Sequence, residues 1–419
     1  MARCLYTLLW WIALPLLPLR LWWRGRREPG YRERIGERFG RYVAPAPRGE
    51  VLWLHAVSVG ETRAAAPLVE RLLRERPGTT LLLTSMTAAG RATGTSLFGD
   101  RVVQAWLPYD IPFAVKRFLA HFRPRLGLVM ETELWPNLVA LAADRGIPVC
   151  LVNARLSEKS ARGYARFPRI TRDMLGRLAG VAAQTGDDAA RLAALGAREV
   201  AVTGNLKFDV AVPQAMRERG ALLRGQFPGR RVWLAASTRE GEETLILDAL
   251  QARPLRDDVL TILVPRHPQR FDEVAAMLGR RGIRHVRRSA GAVHDASVPV
   301  LLGDSMGEMF AYCAAADIVF VGGSLLPLGG QNLLEPLALG VPTLVGPHTF
   351  NFAEATEQAI AAGAAARVDD AGALVARVNE LLDDPLARDA MHGAALAFVA
   401  RHAGATDRTW QWLVARTGP

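Results

Sequence analysis

The first residue that could do chemistry is a carboxylate, Glu61, in the loop HAVSVGE. The apolar run from Val51 to Leu54 predicts a buried strand before this loop, and apolar residues every three or four positions after it predict a helix. Two interpretations of Glu61 remain open. An acid in a first helical turn is stabilised by the positive end of the helix dipole. A loop after a strand of an open α/β sheet also faces the ligand crevice, where a carboxylate can act as a general base.

A similar pattern opens the second half of the chain, where WLAASTREGEET at 233–244 resembles WLHAVSVGET at 53–62. Both segments give a strand, a serine and then Gly-Glu at the start of a predicted helix. The pattern is short enough to be a coincidence. If it is a structural repeat, each half directs a strand-to-helix loop at a shared cleft, one for a nucleotide and the other for an acceptor.

Three loops of the second half have the features of a phosphate or nucleotide site. VPRHPQRF at 264–271 ends a predicted strand with Arg266 and His267, which can face an anion or a base edge. GDSMGEMF at 303–310 and VGGSLLPLGGQNLLEPLALG at 321–340 place glycines before helices, where backbone amides can point at a phosphate. Glu335 in the last loop suits ribose hydroxyls. Because GxGxxG and GxxxxGKS/T do not occur, a dinucleotide oxidoreductase and a P-loop NTPase are disfavoured.

Short apolar runs alternate with helical patterns along most of the chain. Predicted strands lie at 79–85, 125–131, 147–153, 180–185 and 199–204, and again at 231–237, 259–266, 298–304, 317–324 and 342–346. Continuous rather than alternating apolar runs are typical of parallel strands covered on both faces. The predicted fold class is therefore α/β, with two doubly wound, Rossmann-like domains that face each other across a cleft.

Composition limits the class of protein. The 419 residues are 50% hydrophobic, enough for two or three domains with their own cores. Three widely separated cysteines (Cys4, Cys150 and Cys313) suggest neither a disulfide framework nor a zinc site. The 52 Lys and Arg residues exceed the 41 Asp and Glu residues, and the resulting net charge of +11 suits acidic partners: nucleic acid, anionic lipid or phosphorylated substrates. Charge alone does not choose between them.

The N-terminal 27 residues predict a membrane-anchor helix. No charge occurs from Cys4 to Leu19, and RLWWRGRR at 20–27 then sets tryptophans beside arginines, a combination that suits the lipid headgroup layer. The uncharged run is shorter than the ~20 residues that a bilayer needs and contains Pro15 and Pro18, so spanning and surface-lying anchors both stay open. The basic residues after the run predict that the remaining chain lies on the cytoplasmic side.

Several motifs together resemble one known family. HAVSVGE, METELWPN, VNARLSEKS, TGNLKFD, ASTREGEE, VPRHPQRF, GDSMGEM and GGSLLPLGGQNLLEP, in this order behind an anchor, are similar to the Kdo transferases of lipopolysaccharide synthesis, glycosyltransferase family 30. The resemblance implies a GT-B fold that transfers 3-deoxy-D-manno-octulosonic acid (Kdo) from CMP-Kdo to the phosphorylated lipid A precursor, lipid IVA, at the cytoplasmic face of the inner membrane. The implied domains are an anchor at 1–27, an acceptor domain at 28–210, a linker at 211–228, a donor domain at 229–402 and a closing helix at 403–419.

The resemblance also implies roles for individual residues. Glu61 matches the family's base position, with Gly60 expected to let the backbone turn, and direct displacement by the acceptor would invert the anomeric centre. Glu131 and Lys207 match positions that assist the transition state, although Glu133 is a rival for Glu131. The structural alternatives are a solvated Lys207 and a salt-bridged Glu131. The implied CMP-binding residues are Pro265, Arg266, Met306, Gly307, Glu308, Asn332, Leu333, Leu334 and Glu335.

The expected partners follow from the same reasoning. No metal, cofactor or nucleic acid is implied, whereas an anionic membrane surface is. The arginines Arg24, Arg26, Arg27 and Arg63 are candidates for the acceptor phosphates, and the basic run RRGIRHVRR at 280–288 predicts a solvated helix end followed by a strand. Two other functions remain open: a GT-B transferase of another nucleotide sugar, and a non-catalytic nucleotide-binding membrane adaptor.

Overall fold

The computed structural model describes residues 2–291 and 297–417. The chain divides into two compact units. Unit 1 extends to Asp209 and takes up the chain again from Gly404, and unit 2 extends from Val210 to Ala403. The segment 211–228, predicted as a linker, lies in unit 2 and contains a helix, and the predicted closing helix lies in unit 1.

Both units consist of parallel strands joined by helices. The strands of unit 1 are β1 (Val51–His55), β2 (Thr80–Ser85), β3 (Val103–Trp106), β4 (Leu126–Met130), β5 (Val149–Ala154), β6 (Gly180–Ala183) and β7 (Val200–Val202). Those of unit 2 are β8 (Arg231–Thr238), β9 (Val259–Pro265), β10 (His285–Arg287), β11 (Val300–Leu302), β12 (Ile318–Val321), β13 (Thr343–Val345) and β14 (Ala365–Arg367).

The helices follow the strands in alternation. Unit 1 holds α1 (Ala2–Ala13), α2 (Leu16–Arg24), α3 (Val59–Glu75), α4 (Ala88–Phe98), α5 (Pro112–Phe122), α6 (Pro136–Ala143), α7 (Glu158–Ala165), α8 (Pro168–Gly176) and α9 (Gly186–Ala194). Unit 2 holds α10 (Gln214–Gly225), α11 (Glu242–Ala252), α12 (Phe271–Arg280), α13 (Met309–Ala315), α14 (Leu334–Ala338), α15 (Ala353–Ala361), α16 (Ala371–Asp383) and α17 (Pro385–His402). The chain then returns to unit 1 as α18 (Ala405–Thr417).

Each unit has one seven-stranded parallel sheet, so the predicted pair of doubly wound domains is confirmed. The strand order is β3-β2-β1-β4-β5-β6-β7 in unit 1 and β10-β11-β9-β8-β12-β13-β14 in unit 2. The order reverses between β1 and β4 in the first sheet and between β8 and β12 in the second. Loops at the carboxyl ends of the strands flank a crevice at such a reversal, which is where open α/β sheets bind ligands.

The repeated Trp-Leu pair of the two halves has the same structural role in each unit. Trp53 on β1 and Trp233 on β8 are fully buried. The indole nitrogen of Trp53 donates to Thr84 Oγ1 at 2.7 Å, and that of Trp233 donates to Thr261 Oγ1 at 2.8 Å. Each threonine lies on the neighbouring strand, so both tryptophans fill a core and satisfy their one polar atom.

The predicted single anchor helix is wrong in one respect, because residues 2–24 form two helices. α1 and α2 meet at a break before Pro15, with a bend of 61° between them. Proline lacks an amide hydrogen for the helix ladder and clashes with the preceding turn, so a break at this point is expected. In the described part of the chain no single helix is long and apolar enough to cross a membrane, whereas α1 and α2 taken together meet that test as a bent pair.

One face of this helix pair packs on unit 1. Thr7 Oγ1 donates to Asn137 Oδ1 at 3.1 Å, and the Trp10 ring lies 5.8 Å from Tyr109 and 6.2 Å from Trp135. Most of the apolar residues on the rest of the pair are exposed: Leu5, Leu8, Leu9, Trp11, Ile12, Leu16, Leu19, Trp22 and Trp23. The pair therefore has an inner face fixed by protein contacts and an outer apolar face.

Candidate active site

Glu61 lies at the carboxyl end of β1, in the first turn of α3. Its Oε2 accepts a hydrogen bond from the Val57 amide at 2.8 Å, and its Oε1 accepts one from the Ser58 hydroxyl at 3.0 Å. Ser58 is the N-cap of α3, and its Oγ accepts from the Glu61 amide at 3.4 Å. This reciprocal arrangement is close to a capping box, so Glu61 has the structural role that its position in the helix predicts.

The surroundings of Glu61 also raise its pKa into the range that suits a general base at neutral pH. The side chain is 8% exposed, and burial is the main reason that its pKa rises from 4.5 to about 7. The Val57 and Ser58 hydrogen bonds oppose this rise, while the charges of Glu131 and Glu133 add to it. A carboxyl with a pKa of about 7 is partly ionised at neutral pH and can accept a proton there.

The expected role of Gly60 is wrong. Gly60 lies inside α3, and its φ is not in the left-handed region, so the turn does not depend on a glycine there. A Cβ at this position would have only Ser58 Oγ nearby, at 3.8 Å. A glycine is required instead at Gly90 in α4, where a Cβ would come within 2.8 Å of the Val57 carbonyl oxygen.

Glu131 and Lys207 lie together, as an ion pair. Lys207 Nζ is 3.1 Å from Glu131 Oε1, and the two side chains are 30% and 23% exposed. Glu131 directly follows β4, and Lys207 lies in a 3-10 turn, Leu206–Phe208, after β7. Because β4 adjoins β1 at the reversal of strand order, Glu131 and Glu61 come from neighbouring strand ends.

Glu133 differs from Glu131 in having no cation. In the described ranges its carboxylate has no hydrogen bond or salt bridge, and burial followed by the charge of Glu131 raises its pKa. Glu131 therefore has a cation partner, Lys207, and Glu133 has none among the described residues.

Asn153 is a residue that sequence reasoning missed. It is fully buried at the end of β5, with φ at 51°. Its Oδ1 accepts from the Leu206 amide at 2.9 Å, and its carbonyl oxygen accepts from Gln184 Nε2 at 2.9 Å. Asn153 thus connects the strand end of β5 to the turn that carries Lys207. The available signal was an asparagine at a predicted strand end, since asparagine tolerates left-handed backbone.

In unit 2, two of the three predicted loops are joined by a side-chain bond. Arg266 follows β9, its amide donates to the Thr238 carbonyl at 2.9 Å, and its Nε donates to Gln331 Oε1 at 3.2 Å. His267 is next to it, and its pKa is lowered by burial and then by the positive charges of Arg239, Arg266 and Arg270. Arg239, which sequence reasoning also missed, follows β8, so this edge of the sheet is strongly cationic.

The second loop presents Met306, Gly307 and Glu308 after β11. Met306 is 57% exposed, and Gly307 has φ at 78°, a conformation that favours glycine. Glu308 Oε2 accepts from Ser305 Oγ at 2.6 Å, and Glu308 Oε1 lies 3.3 Å from Arg288. The basic run at 280–288 contains the predicted helix end and strand β10. Its last two arginines also form ion pairs with the second loop, Arg287 with Asp304 and Arg288 with Glu308.

The third loop ends at the short helix α14. Asn332 Nδ2 donates to Glu335 Oε1 at 3.1 Å, and Asn332 Oδ1 accepts from the Leu334 amide at 3.1 Å. Leu333 and Leu334 are 1% and 2% exposed, so their side chains belong to the core and only their backbone could meet a ligand. Across residues 2–291 and 297–417 no group of three or more His, Cys, Asp or Glu side chains is placed to hold a metal ion.

The family model described as 3-deoxy-D-manno-octulosonic-acid transferase (kdotransferase) matches residues 33–210. The chain is 49% identical to the 3-deoxy-D-manno-octulosonic acid transferase of Bordetella pertussis, over 98% of each chain. It is 37% identical to the enzyme of that name from Haemophilus influenzae, over 97% of each chain. The chain belongs to the Kdo transferase family.

The fold of this Kdo transferase family member is also found in more distant proteins. A solved glycosyltransferase from Rickettsia africae is 11% identical, with a TM-score of 0.56 over 89% of this chain and 100% of that one. A likeness at this identity concerns the fold alone. It agrees with the two parallel-sheet units, and the predicted GT-B class is confirmed.

The second Gly-Glu of this Kdo transferase family member has a different environment from the first. Glu242 is fully buried at the start of α11. Its Oε2 accepts from the amides of Arg239 at 2.8 Å and Gly323 at 2.5 Å, and its Oε1 accepts from the Leu325 amide at 2.9 Å. Glu242 therefore ties the loop after β8 to the loop after β12, and its own carboxylate is fully buried.

Proposed function

We propose that this protein transfers Kdo from CMP-Kdo to the lipid A precursor lipid IVA, with inversion at the anomeric carbon and with Glu61 as the general base. Membership of the Kdo transferase family supports the reaction. The observation that supports the base is the environment of Glu61, a largely buried carboxylate at a sheet reversal whose pKa is about 7.

In the proposed step a hydroxyl oxygen of the acceptor attacks the anomeric carbon of Kdo. The bond from that carbon to the CMP phosphate oxygen breaks with its electron pair, and Glu61 takes the hydroxyl proton. A sugar hydroxyl is too weak an acid to ionise alone at neutral pH, so a base lowers the barrier. The Ser58 hydroxyl can rotate away from Glu61 Oε1, which frees that oxygen while the Val57 amide still holds Oε2.

Lys207 and Glu131 are proposed to assist the transition state. Lys207 offers a positive charge to the carboxylate or phosphate of the donor, and Glu131 holds Lys207 in place at 3.1 Å. A carboxylate near the reacting carbon also stabilises the positive charge that develops there during departure of the leaving group.

CMP is proposed to bind the three loops of unit 2. Arg266 and the cationic edge around His267 suit the phosphate, whose negative charge grows as the bond breaks. Glu308 and Glu335 offer acceptors to the ribose and base hydrogens. Pro265, Met306, Gly307, Asn332, Leu333 and Leu334 complete the proposed CMP site, the two leucines through their backbone.

The helix pair α1–α2 is proposed to contact the anionic cytoplasmic face of the inner membrane. Its outer apolar residues and the Trp22 and Trp23 rings beside arginines suit the interface. The inner-face contacts of Thr7 and Trp10 with unit 1 favour a pair that lies in the interface rather than spans it.

The test is transfer of Kdo from CMP-Kdo to tetraacylated, bisphosphorylated lipid A precursor, read by mass spectrometry. Wild type is expected to transfer Kdo, and Glu61→Gln is expected to bind CMP equally but lose turnover by at least 100-fold. Glu70→Gln is the matched control, since Glu70 lies on the same helix in an exposed pair with Arg101. Absence of transfer by a wild type that binds CMP would exclude Kdo as the transferred sugar.

A further inference from the structure

Three arginines and two aromatic rings alternate beside the end of α2. Arg24 Cζ lies 4.2 Å from the centroid of the Tyr31 ring, and Arg38 Cζ lies 5.7 Å from the same centroid. Arg38 Cζ is also 4.0 Å from the Trp106 ring, over which Arg91 Cζ lies at 5.0 Å. We call these five residues the arginine ladder.

The charges of Glu37 and Glu33 act on Arg91, but neither acid pairs directly with a ladder arginine among the described residues. In the part of the chain that the structure describes, no carboxylate forms a salt bridge with any of its three guanidinium groups. The nearby acid Glu37 is already engaged, since its Oε2 accepts from the Trp106 amide at 2.9 Å and its Oε1 lies 3.5 Å from Arg34. Aromatic faces attract guanidinium groups but do not neutralise them.

Some hydrogen-bond donors of the ladder arginines also have no acceptor among the described residues. Arg38 is 1% exposed and donates only to Met86, to its carbonyl oxygen at 3.2 Å and its sulfur at 3.9 Å. Within the described residues, Arg38 Nε and Arg91 Nη1 are buried without a hydrogen-bond partner. Burial lowers the pKa of both groups, and for Arg91 the charges of Glu37 and Glu33 oppose this shift without cancelling it. An anion at this place would stabilise the cluster, because buried charges without a partner are costly.

The ladder adjoins the loop that carries the proposed base. Arg91 lies in the first turn of α4, whose N-cap Thr87 donates from Oγ1 to the Val57 carbonyl at 2.8 Å. Val57 is the residue whose amide binds Glu61. At the other end of the ladder, Arg24 terminates α2, next to the exposed outer face of the helix pair. The ladder thus extends from the end of the apolar helices to the base loop.

We propose that the arginine ladder is a binding site for a phosphate monoester of the lipid acceptor. Arg91, which is half-buried, contacts phosphate oxygens, Arg38 supplies a fixed charge beside it, and Arg24 adds positive charge from the α2 end of the ladder. Guanidinium groups suit this task because their planar donors match phosphate oxygens. Arg26 stacks on the exposed Trp22 ring at 4.1 Å, which leaves it outside the ladder. The proposal rests on the proposed function only for the identity of the lipid.

The experiment measures binding rather than turnover. Full-length protein is sedimented with neutral phosphatidylcholine vesicles that carry the bisphosphorylated lipid A precursor, or the same lipid after phosphatase treatment. Wild type is expected to bind the phosphorylated lipid at least tenfold more tightly, and Arg91→Gln and Arg24→Gln are each expected to lose roughly tenfold on that lipid alone. Arg91→Lys keeps the positive charge but not the planar pair of guanidinium donors, and its affinity for the phosphorylated lipid is expected to fall by less.

Arg125→Gln is the matched control, because Arg125 is an exposed arginine of unit 1 paired with Glu50 at the amino end of β4. Equal binding of the phosphorylated lipid by Arg91→Gln, Arg24→Gln and this control would overturn the proposal. The proposal is also overturned if phosphatidylglycerol vesicles without acceptor bind wild type equally well and lose as much in the variants, because the ladder would then contact bulk anionic lipid.

Two further measurements separate the possible failures. CMP affinity and thermal unfolding of each variant show that the fold is kept, so a loss of lipid binding in a folded variant supports the site. A wild type that binds the phosphorylated lipid but transfers no Kdo would overturn the proposed function and leave the phosphate site standing.

Discussion

Replacing Glu61 by glutamine should make the protein more stable above neutral pH while it abolishes transfer. Burial raises the pKa of Glu61 from 4.5 to about 7 in the folded state. The folded protein therefore keeps this proton at pH values where the unfolded chain has lost it. The stabilisation from the bound proton is complete below pH ~4.5 and is lost as the pH rises through about 7, by roughly 3 kcal/mol in total.

Glutamine has no such loss, because it is neutral at every pH. Its amide oxygen can still accept from the Val57 amide, and its amide nitrogen can donate to the Ser58 hydroxyl oxygen. Relative to wild type, Glu61→Gln should gain roughly 3 kcal/mol in free energy of unfolding between pH 4.5 and pH 8. The gain in free energy of unfolding and the loss of transfer have one cause, because the buried charge of Glu61 destabilises the fold and also makes the carboxylate a base.

The assay is urea unfolding followed by tryptophan fluorescence at several pH values, with wild type and Glu61→Gln measured side by side. Glu70→Gln on the same helix removes an exposed acid, and its change in free energy of unfolding measures the effect of losing a carboxylate charge that is not buried. A stability difference between wild type and Glu61→Gln that stays constant from pH 4.5 to pH 8 would refute the raised pKa. The base assignment would then lose its physical support.

Three further predictions concern other side chains. Ser58→Ala removes a hydrogen bond that lowers the pKa of Glu61, so the acidic limb of the pH dependence of kcat should move to higher pH, with about 1 kcal/mol of stability lost from the helix cap. Arg266→Ala should weaken CMP binding at least tenfold by calorimetry, whereas Arg256→Ala, in an exposed pair with Asp258, should not. Asn153→Ala should reduce kcat about tenfold without changing CMP affinity, and Asn153→Asp, which keeps the acceptor oxygen for the Leu206 amide, should restore part of it.

The sequence predicts the sheets well where strands are covered on both faces. All five residues of Val51–His55 and all seven of Val259–Pro265 are buried, and both strands consist mainly of apolar residues. Val103–Trp106 and Ala365–Arg367 are not predicted from the sequence, because they are short strands at the edges of their sheets and are partly exposed. An edge strand takes its structure from one neighbour rather than from its own apolar pattern.

The candidate site is predictable to a lesser degree. A motif can mark Glu131 and Lys207 separately, but their ion pair joins residues 76 positions apart and depends on the order of the strands. Sequence reasoning also assigns Gly60 a turn that the helix does not contain, since a glycine in a first helical turn and a glycine at a bend look alike as letters. Side-chain pairing across a sheet is a property of topology, which local patterns do not encode.

The two Gly-Glu sequences show how topology changes the chemistry of one local pattern. Glu61 and Glu242 each follow a glycine and lie in the first turn of the helix after a strand that borders the reversal of strand order, β1 and β8 respectively. Across the reversal of strand order, the neighbouring loop gives Glu242 two backbone amides, from Gly323 and Leu325, and buries it completely. The equivalent neighbouring loop in unit 1 gives Glu61 a like charge, Glu131, which opposes ionisation and leaves acceptor capacity unused. A carboxylate that fixes a helix is best served by amides, whereas the pKa of Glu61 rises mainly because burial disfavours its charged form, and the nearby charges of Glu131 and Glu133 add to that rise.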